Sequence, residues 1–137
     1  MGFSYLFNCR KCKYSQQLYE GWLFMEHDQT PDSILHSSQI KLHYKTQRKI
    51  SELNQQYNHL RLKTEYKIYR CRQCLQISDK LFVQVFHDDE LLHETQFKCA
   101  NCNIKLKHTN IHRLKFAICP KCKSKQFEKV KELVLWD

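Results

Sequence analysis

Four Cys-x-x-Cys pairs account for all eight cysteines of the 137-residue chain: Cys9/Cys12, Cys71/Cys74, Cys99/Cys102 and Cys119/Cys122. Two residues between the thiols let the backbone turn tightly enough for both sulfurs to face one ion, and two such pairs complete a tetrahedral four-thiolate site. Four pairs therefore predict two sites, with Zn2+ as the expected ion and two per chain. Iron is the closest rival, because four thiolates bind it with the same geometry. Disulfides would require an oxidising compartment, and the apolar run at residues 3–7 is too short for the core of a secretory signal. A thioredoxin-like redox motif uses one such pair between a strand and a helix, not four pairs flanked by Lys and Arg.

The lengths between pairs suggest which of them share an ion. Sixteen residues separate Cys102 from Cys119, a spacing suited to one four-cysteine site, so Cys99, Cys102, Cys119 and Cys122 are expected together. Cys9, Cys12, Cys71 and Cys74 then form the other site around an insertion of fifty-eight residues. The rival pairing joins Cys71/Cys74 to Cys99/Cys102 across twenty-four residues and leaves the outer pairs to meet. It is disfavoured here as a topology that takes the chain across itself.

Short strands and one helix must position these thiols. The aromatic segment 3–7 predicts a strand entering the first cysteine pair, and 14–25 predicts its return, with Gly21 at a bend or close approach. Thr30-Pro31-Asp32 ends that segment. Ile50, Leu53, Tyr57 and Leu60 recur at steps of three and four, predicting a helix over about 46–62 with Thr46 as N-cap and its apolar stripe packed inward. Residues 66–69 form a short strand into Cys71. Residues 81–86 and 91–97 are two strands about the polar turn 87–90. Residues 104–107 and 113–118 read as further strands, and 127–136 as a last one.

Only two Gly and two Pro occur, so no flexible linker interrupts the chain, and no apolar stretch approaches the roughly 20 residues of a membrane span. Met1-Gly2 lacks the Ser or Thr at position 6 that myristoylation favours. A cytoplasmic protein is expected. Modules this small cannot close a core on apolar contacts alone, so metal is expected to be needed for folding.

Paired cysteine knuckles on short hairpins resemble the zinc-ribbon, or rubredoxin-like, superfamily. The opening segment, with Cys9-Arg-Lys-Cys12 followed by Leu18-Tyr-Glu-Gly-Trp-Leu-Phe-Met25, is similar to small bacterial zinc-ribbon proteins. The resemblance implies an α+β chain of two zinc-ribbon modules built from short antiparallel strands: residues 1–80 with the inserted helix, and residues 81–137. It implies a fold rather than an activity. Where such ribbons often place Gly after the second cysteine, this chain has Lys13, Leu75, Asn103 and Lys123. Asn tolerates a left-handed backbone and Leu does so poorly.

The formal net charge is +9, and the basic residues crowd the knuckles. Arg10, Lys11, Lys13, Arg70 and Arg72 flank two pairs, and Lys98, Lys121, Lys123 and Lys125 the others. Phosphate binding would use them, with Tyr5, Tyr14 and Trp22 as candidate base-stacking groups. Alternatively they offset the charge of about −2 carried by each zinc–thiolate site. The eight histidines include His108 and His112 at i, i+4 and His87 and His93 beside 88–90, but no catalytic motif surrounds them, and they read as surface residues. Four-thiolate sites leave no position open for water or substrate, so no enzyme is expected. Two functions remain: a nucleic-acid-binding, regulatory zinc protein, or an adaptor or inhibitor that presents a helix or strand to a protein partner.

Overall fold

The structure is a computed structural model and describes residues 2–22, 29–36, 42–114 and 117–136. It is α+β and mostly antiparallel. The described residues form seven strands: β1 (Gly2–Cys9), β2 (Ser15–Trp22), β3 (Leu60–Arg70), β4 (Ile77–His87), β5 (Glu90–Glu94), β6 (Lys107–His108) and β7 (Phe127–Trp136). Helices α1 (Pro31–Leu35) and α2 (Tyr44–Gln56) lie between β2 and β3, and a 3-10 turn covers Ile111–Arg113.

The chain clusters into two compact units, and they are not the two halves expected from the sequence. One unit takes Met1–Leu23, Tyr66–Lys80 and Gln96–Asp137; the other takes Phe24–Glu65 and Leu81–Thr95. The expected division at residue 80 therefore gives way to an insertion. The long strands β3 and β4 each contribute residues to both units, and all eight cysteines belong to the first.

In the first unit, sheet neighbours run β3, β2, β1, β7, with β6 on β3. Strand β1 is central, pairing with β2 from Gly2↔Gly21 to Asn8↔Ser15 and with β7 from Gly2↔Trp136 to Cys9↔Phe127. Its alternation explains the place. Tyr5, Phe7 and Cys9 are buried and share a core with Leu18, Ile68, Ile77, Ile111, Ala117 and Phe127. Fully burying one aliphatic or aromatic side chain contributes about 1.5–3 kcal/mol, so this cluster is the main apolar support of the unit. Gly21 has φ of 113°, a conformation open to glycine at little cost, which supports the bend expected there.

The second unit holds both helices and the β4–β5 hairpin, whose turn places Asp88 at φ of 53°. Arg61 Nη2 donates to the Asp88 carbonyl at 2.7 Å and faces the Asp89 carboxylate at 3.7 Å, clamping that turn. Helix α2 is shorter than the expected 46–62. His43 rather than Thr46 caps it, through Nδ1 and the Lys45 amide, and Tyr57 ends it in extended conformation. Ile50 and Leu53 face the core as their spacing required, but Leu60 is buried in β3. The helical spacing of Leu60 was coincidental, because the turn at 57–59, with His59 at φ of 60°, intervenes.

Thr30-Pro31-Asp32 does not simply end a segment; it starts α1. Thr30 Oγ1 accepts from the Ser33 amide, Ser33 Oγ accepts from the Thr30 amide, and Pro31 occupies the first turn. The expected strand over 91–97 stops at Glu94, and 104–107 yields a Lys98↔Lys105 bridge and the two-residue β6. The expected strand over 113–118 is reduced to an Ala117↔Phe127 bridge; residues 115–116 lie outside the described set, as do residues 23–25 of the first return strand.

Candidate metal centres

Each Cys-x-x-Cys pair closes the same small turn. The amide four residues after the leading cysteine donates to that cysteine's carbonyl: Lys13 to Cys9 at 3.0 Å, Leu75 to Cys71 at 3.0 Å, Asn103 to Cys99 at 2.8 Å and Lys123 to Cys119 at 2.9 Å. The leading cysteine's own amide donates onward, to the carbonyls of Tyr14, Gln76, Ile104 and Ser124 respectively. Closing both bonds requires a left-handed residue after the second cysteine. Lys13, Leu75, Asn103 and Lys123 all comply, with φ of 68°, 63°, 57° and 63°.

The conflict between residue type and knuckle geometry is thus resolved in favour of the geometry. A non-glycine residue pays about 1–2 kcal/mol for this conformation, so each knuckle holds some backbone strain. Lys13 is exposed and tests this cleanly. Lys13→Gly removes this cost and is expected to raise stability by up to about 1–2 kcal/mol, less what the more flexible unfolded chain takes back, whereas Lys13→Val should lower stability because a β-branched side chain fits a left-handed backbone worst. Denaturant midpoints of the metal-loaded protein measure both.

The knuckles assemble into two groups of four thiols: Cys9, Cys12, Cys119 and Cys122, and Cys71, Cys74, Cys99 and Cys102. This overturns the expected pairing of Cys9/Cys12 with Cys71/Cys74 and of Cys99/Cys102 with Cys119/Cys122. Strand pairing is the reason. With Cys9 opposite Phe127, the knuckle that follows β1 is brought beside the knuckle that precedes β7. The inner pairs then meet each other. The arrangement is nested, outer with outer and inner with inner, so the chain does not cross itself and the topological objection falls away.

Within each group the four sulfurs lie within 4.8 Å of one another. Cys9 Sγ is 3.6 Å from Cys122 Sγ, Cys12 Sγ 3.5 Å from Cys119 Sγ, and Cys74 Sγ 3.6 Å from Cys99 Sγ. A tetrahedron with metal–sulfur bonds of about 2.3 Å has edges of about 3.8 Å. A disulfide would need sulfurs at about 2.05 Å, and all eight cysteines are free. The donor set and spacing fit a four-coordinate thiophilic ion in both groups.

The leading cysteine of each pair is buried and the trailing one half-buried. Cys9 and Cys119 belong to the main core, whereas Cys71 and Cys99 share a smaller cluster with Tyr69 and Leu106, flanked by Phe97 and Ile104. Amides aimed at sulfur favour thiolate. The Cys12 amide holds the Cys9 thiol down to about 6 against the opposing effect of burial, and the Cys74 amide does the same for Cys71, also to about 6. At Cys12 the Tyr14 amide acts downward, but burial and the neighbouring thiols prevail and raise it to about 11. Burial and the thiols of Cys74, Cys71 and Cys99 push Cys102 up to about 12. Four thiolates this close repel one another, and a divalent cation relieves that repulsion.

The basic candidates divide. Lys11, Lys13, Arg72, Lys121, Lys123 and Lys125 are exposed at the knuckles. Arg10 is also exposed but lies 3.4 Å from Glu128, and Lys123 Nζ donates to the Pro120 carbonyl at 3.0 Å. Arg70 is half-buried on β3, with its Nε inaccessible and without a hydrogen-bond partner, so it is a poor phosphate contact. Tyr5 is fully buried and donates to Glu20 Oε1 at 2.9 Å, which removes it as a stacking group. Tyr14 packs beside Phe127, with ring centres 6.0 Å apart, and the Trp22 side chain lies outside the described set. His108 and His112 fall on β6 and the 3-10 turn rather than on one helix face.

An open groove of about 520 Å³ borders the inner group at Cys74 and is further lined by Leu75, Gln76, Asn101, Ile118 and Lys123. Spacing could not reveal it, because its walls come from knuckles of different groups. Among the described residues no helix is long and apolar enough to cross a membrane. Compared with protein-family models, curated proteins and solved structures, the chain matches none.

Proposed function

We propose that this is a zinc-ribbon-like protein in which two structural zinc ions hold together a nucleic-acid-binding unit. The observation that carries the reading is how charge divides between the units. The unit with both thiol groups has 17 Lys and Arg against 5 Asp and Glu, a formal +12, while the other has 6 against 9, a formal −3. Two zinc–tetrathiolate centres remove about four charges and leave the first unit near +8. Compensation of the thiolates therefore uses only part of the basic excess. The remainder suits a polyanion, whose condensed counterions are released on binding. Four thiolates close the coordination sphere and leave no position for substrate, so no catalytic role is proposed.

Lys11, Arg72 and Lys121 are exposed and come from knuckles of both groups. Replacing all three with Gln is expected to lower the slope of log affinity against log salt by about 2–3 units while zinc content stays at two. Titration with a single-stranded and a double-stranded oligonucleotide at several salt concentrations measures this. No binding by the wild type at low salt would refute the reading and favour a protein-binding adaptor.

A further inference from the structure

The groove beside Cys74 joins apolar walls to a pair of hydrogen-bonded amides. Leu75 and Ile118 supply aliphatic surface, and no carboxylate lines it. Its volume of about 520 Å³ falls within the roughly 300–1,000 Å³ of small-ligand sites. Gln76 follows one knuckle of the inner group and Asn101 lies within the other, and Asn101 Nδ2 donates to Gln76 Oε1 at 3.2 Å. That bond orients both side chains and uses one donor and one acceptor. Gln76 Nε2 and Asn101 Oδ1 have no hydrogen-bond partner among the described residues. A donor and an acceptor on neighbouring side chains are thus left for a ligand.

We propose that this groove takes one unstacked base of a single-stranded nucleic acid, with adenine preferred, an inference that rests on the nucleic-acid reading above. A base has apolar faces for Leu75 and Ile118 and a polar edge for the two amides. Asn and Gln amides pair best with adenine, whose amino group donates while its ring nitrogen accepts. In a duplex the faces are stacked and the pairing edges used, so a single strand is the natural source. Charge favours a strand over a basic peptide. Lys123 is the charged residue of the lining, and its Nζ is held by the Pro120 carbonyl at 3.0 Å. Arg72 and Lys121, exposed and close in sequence to lining residues, suit the phosphates on either side of the base.

Fluorescence anisotropy of the zinc-loaded full chain tests this with three single strands of equal length and charge. All are abasic except for a central adenine, a central thymine or no base. The adenine strand is expected to bind about tenfold tighter than the fully abasic one, with thymine between them and the same salt slope for all three. Gln76→Met with Asn101→Leu keeps both side chains near their size and removes both amides. It should bring all three affinities to the abasic level while slope and zinc content stay unchanged. Asn101→Ala alone, at an exposed position, should lose most of the adenine advantage and provides a second reading if the double variant does not fold. Circular dichroism verifies folding. Equal wild-type affinity for the three strands overturns the base pocket but not the phosphate surface, and a peptide then becomes the occupant to test. An adenine advantage that survives in the folded variants also overturns it. A wild type that binds no strand at low salt overturns both readings.

Discussion

Stripping zinc with a strong chelator is expected to unfold the unit that carries both thiol groups. The inner group has few apolar neighbours: among the described residues, Tyr69 and Leu106 are the buried ones clustered with Cys71 and Cys99. Without an ion its knuckles keep two backbone bonds each and the cost of a left-handed residue, including Leu75. Structural zinc supplies on the order of 10–16 kcal/mol of apparent folding free energy, comparable to or above the roughly 5–15 kcal/mol by which domains are typically stable. Loss of strand circular dichroism on chelation, regained on adding zinc, is the expected result. Elemental analysis of protein purified without added metal should give two zinc per chain. Iron in place of zinc, or a chelated protein that keeps its fold, would contradict the assignment.

Single cysteine substitutions should sort into the nested classes. Cys9→Ser and Cys119→Ser remove the same ion, and Cys71→Ser and Cys99→Ser remove the other. The decisive comparison uses double variants. Cys9→Ser with Cys119→Ser should still bind one cobalt with full tetrahedral thiolate absorption, because both losses fall in one group. Cys9→Ser with Cys71→Ser should bind none in that geometry, because each group is left with three sulfurs. A sequential pairing predicts the reverse. The outer-group variant should also lose more stability than metal alone explains, because Cys9 and Cys119 belong to the main core with Phe7 and Phe127.

The charge division follows from how the chain is shared between the two units. Residues between β2 and Tyr66, together with most of the β4–β5 hairpin, form their own unit. The acidic run at Asp88, Asp89, Glu90 and Glu94 goes with them, which leaves the knuckles in a unit with few acids to offset them. A boundary drawn at residue 80 splits these groups differently and hides the contrast.

Features that depend on a few neighbouring residues could be read from the chain itself. Cys-x-x-Cys is a turn a few residues long, so all eight cysteines of the two groups were legible from spacing, as were the inward Ile50 and Leu53 of α2 and the strand at 127–136. The left-handed residue after each second cysteine was not legible, because Lys13, Leu75 and Lys123 are not residue types that favour it and only the knuckle's two hydrogen bonds impose it. Which knuckles share an ion was settled by the assembled sheet. That choice follows from β1 lying beside β7, with Cys9 opposite Phe127, a contact between the two ends of the chain that no spacing encodes. Tyr5 shows the same limit on a smaller scale. Its sequence neighbours allow either a stacking face or a core residue, and the Leu18 and Ile111 that join it in the core come from distant segments. Leu60 fits a helical period and a strand equally well, and its burial in β3 was decided by the fold around it.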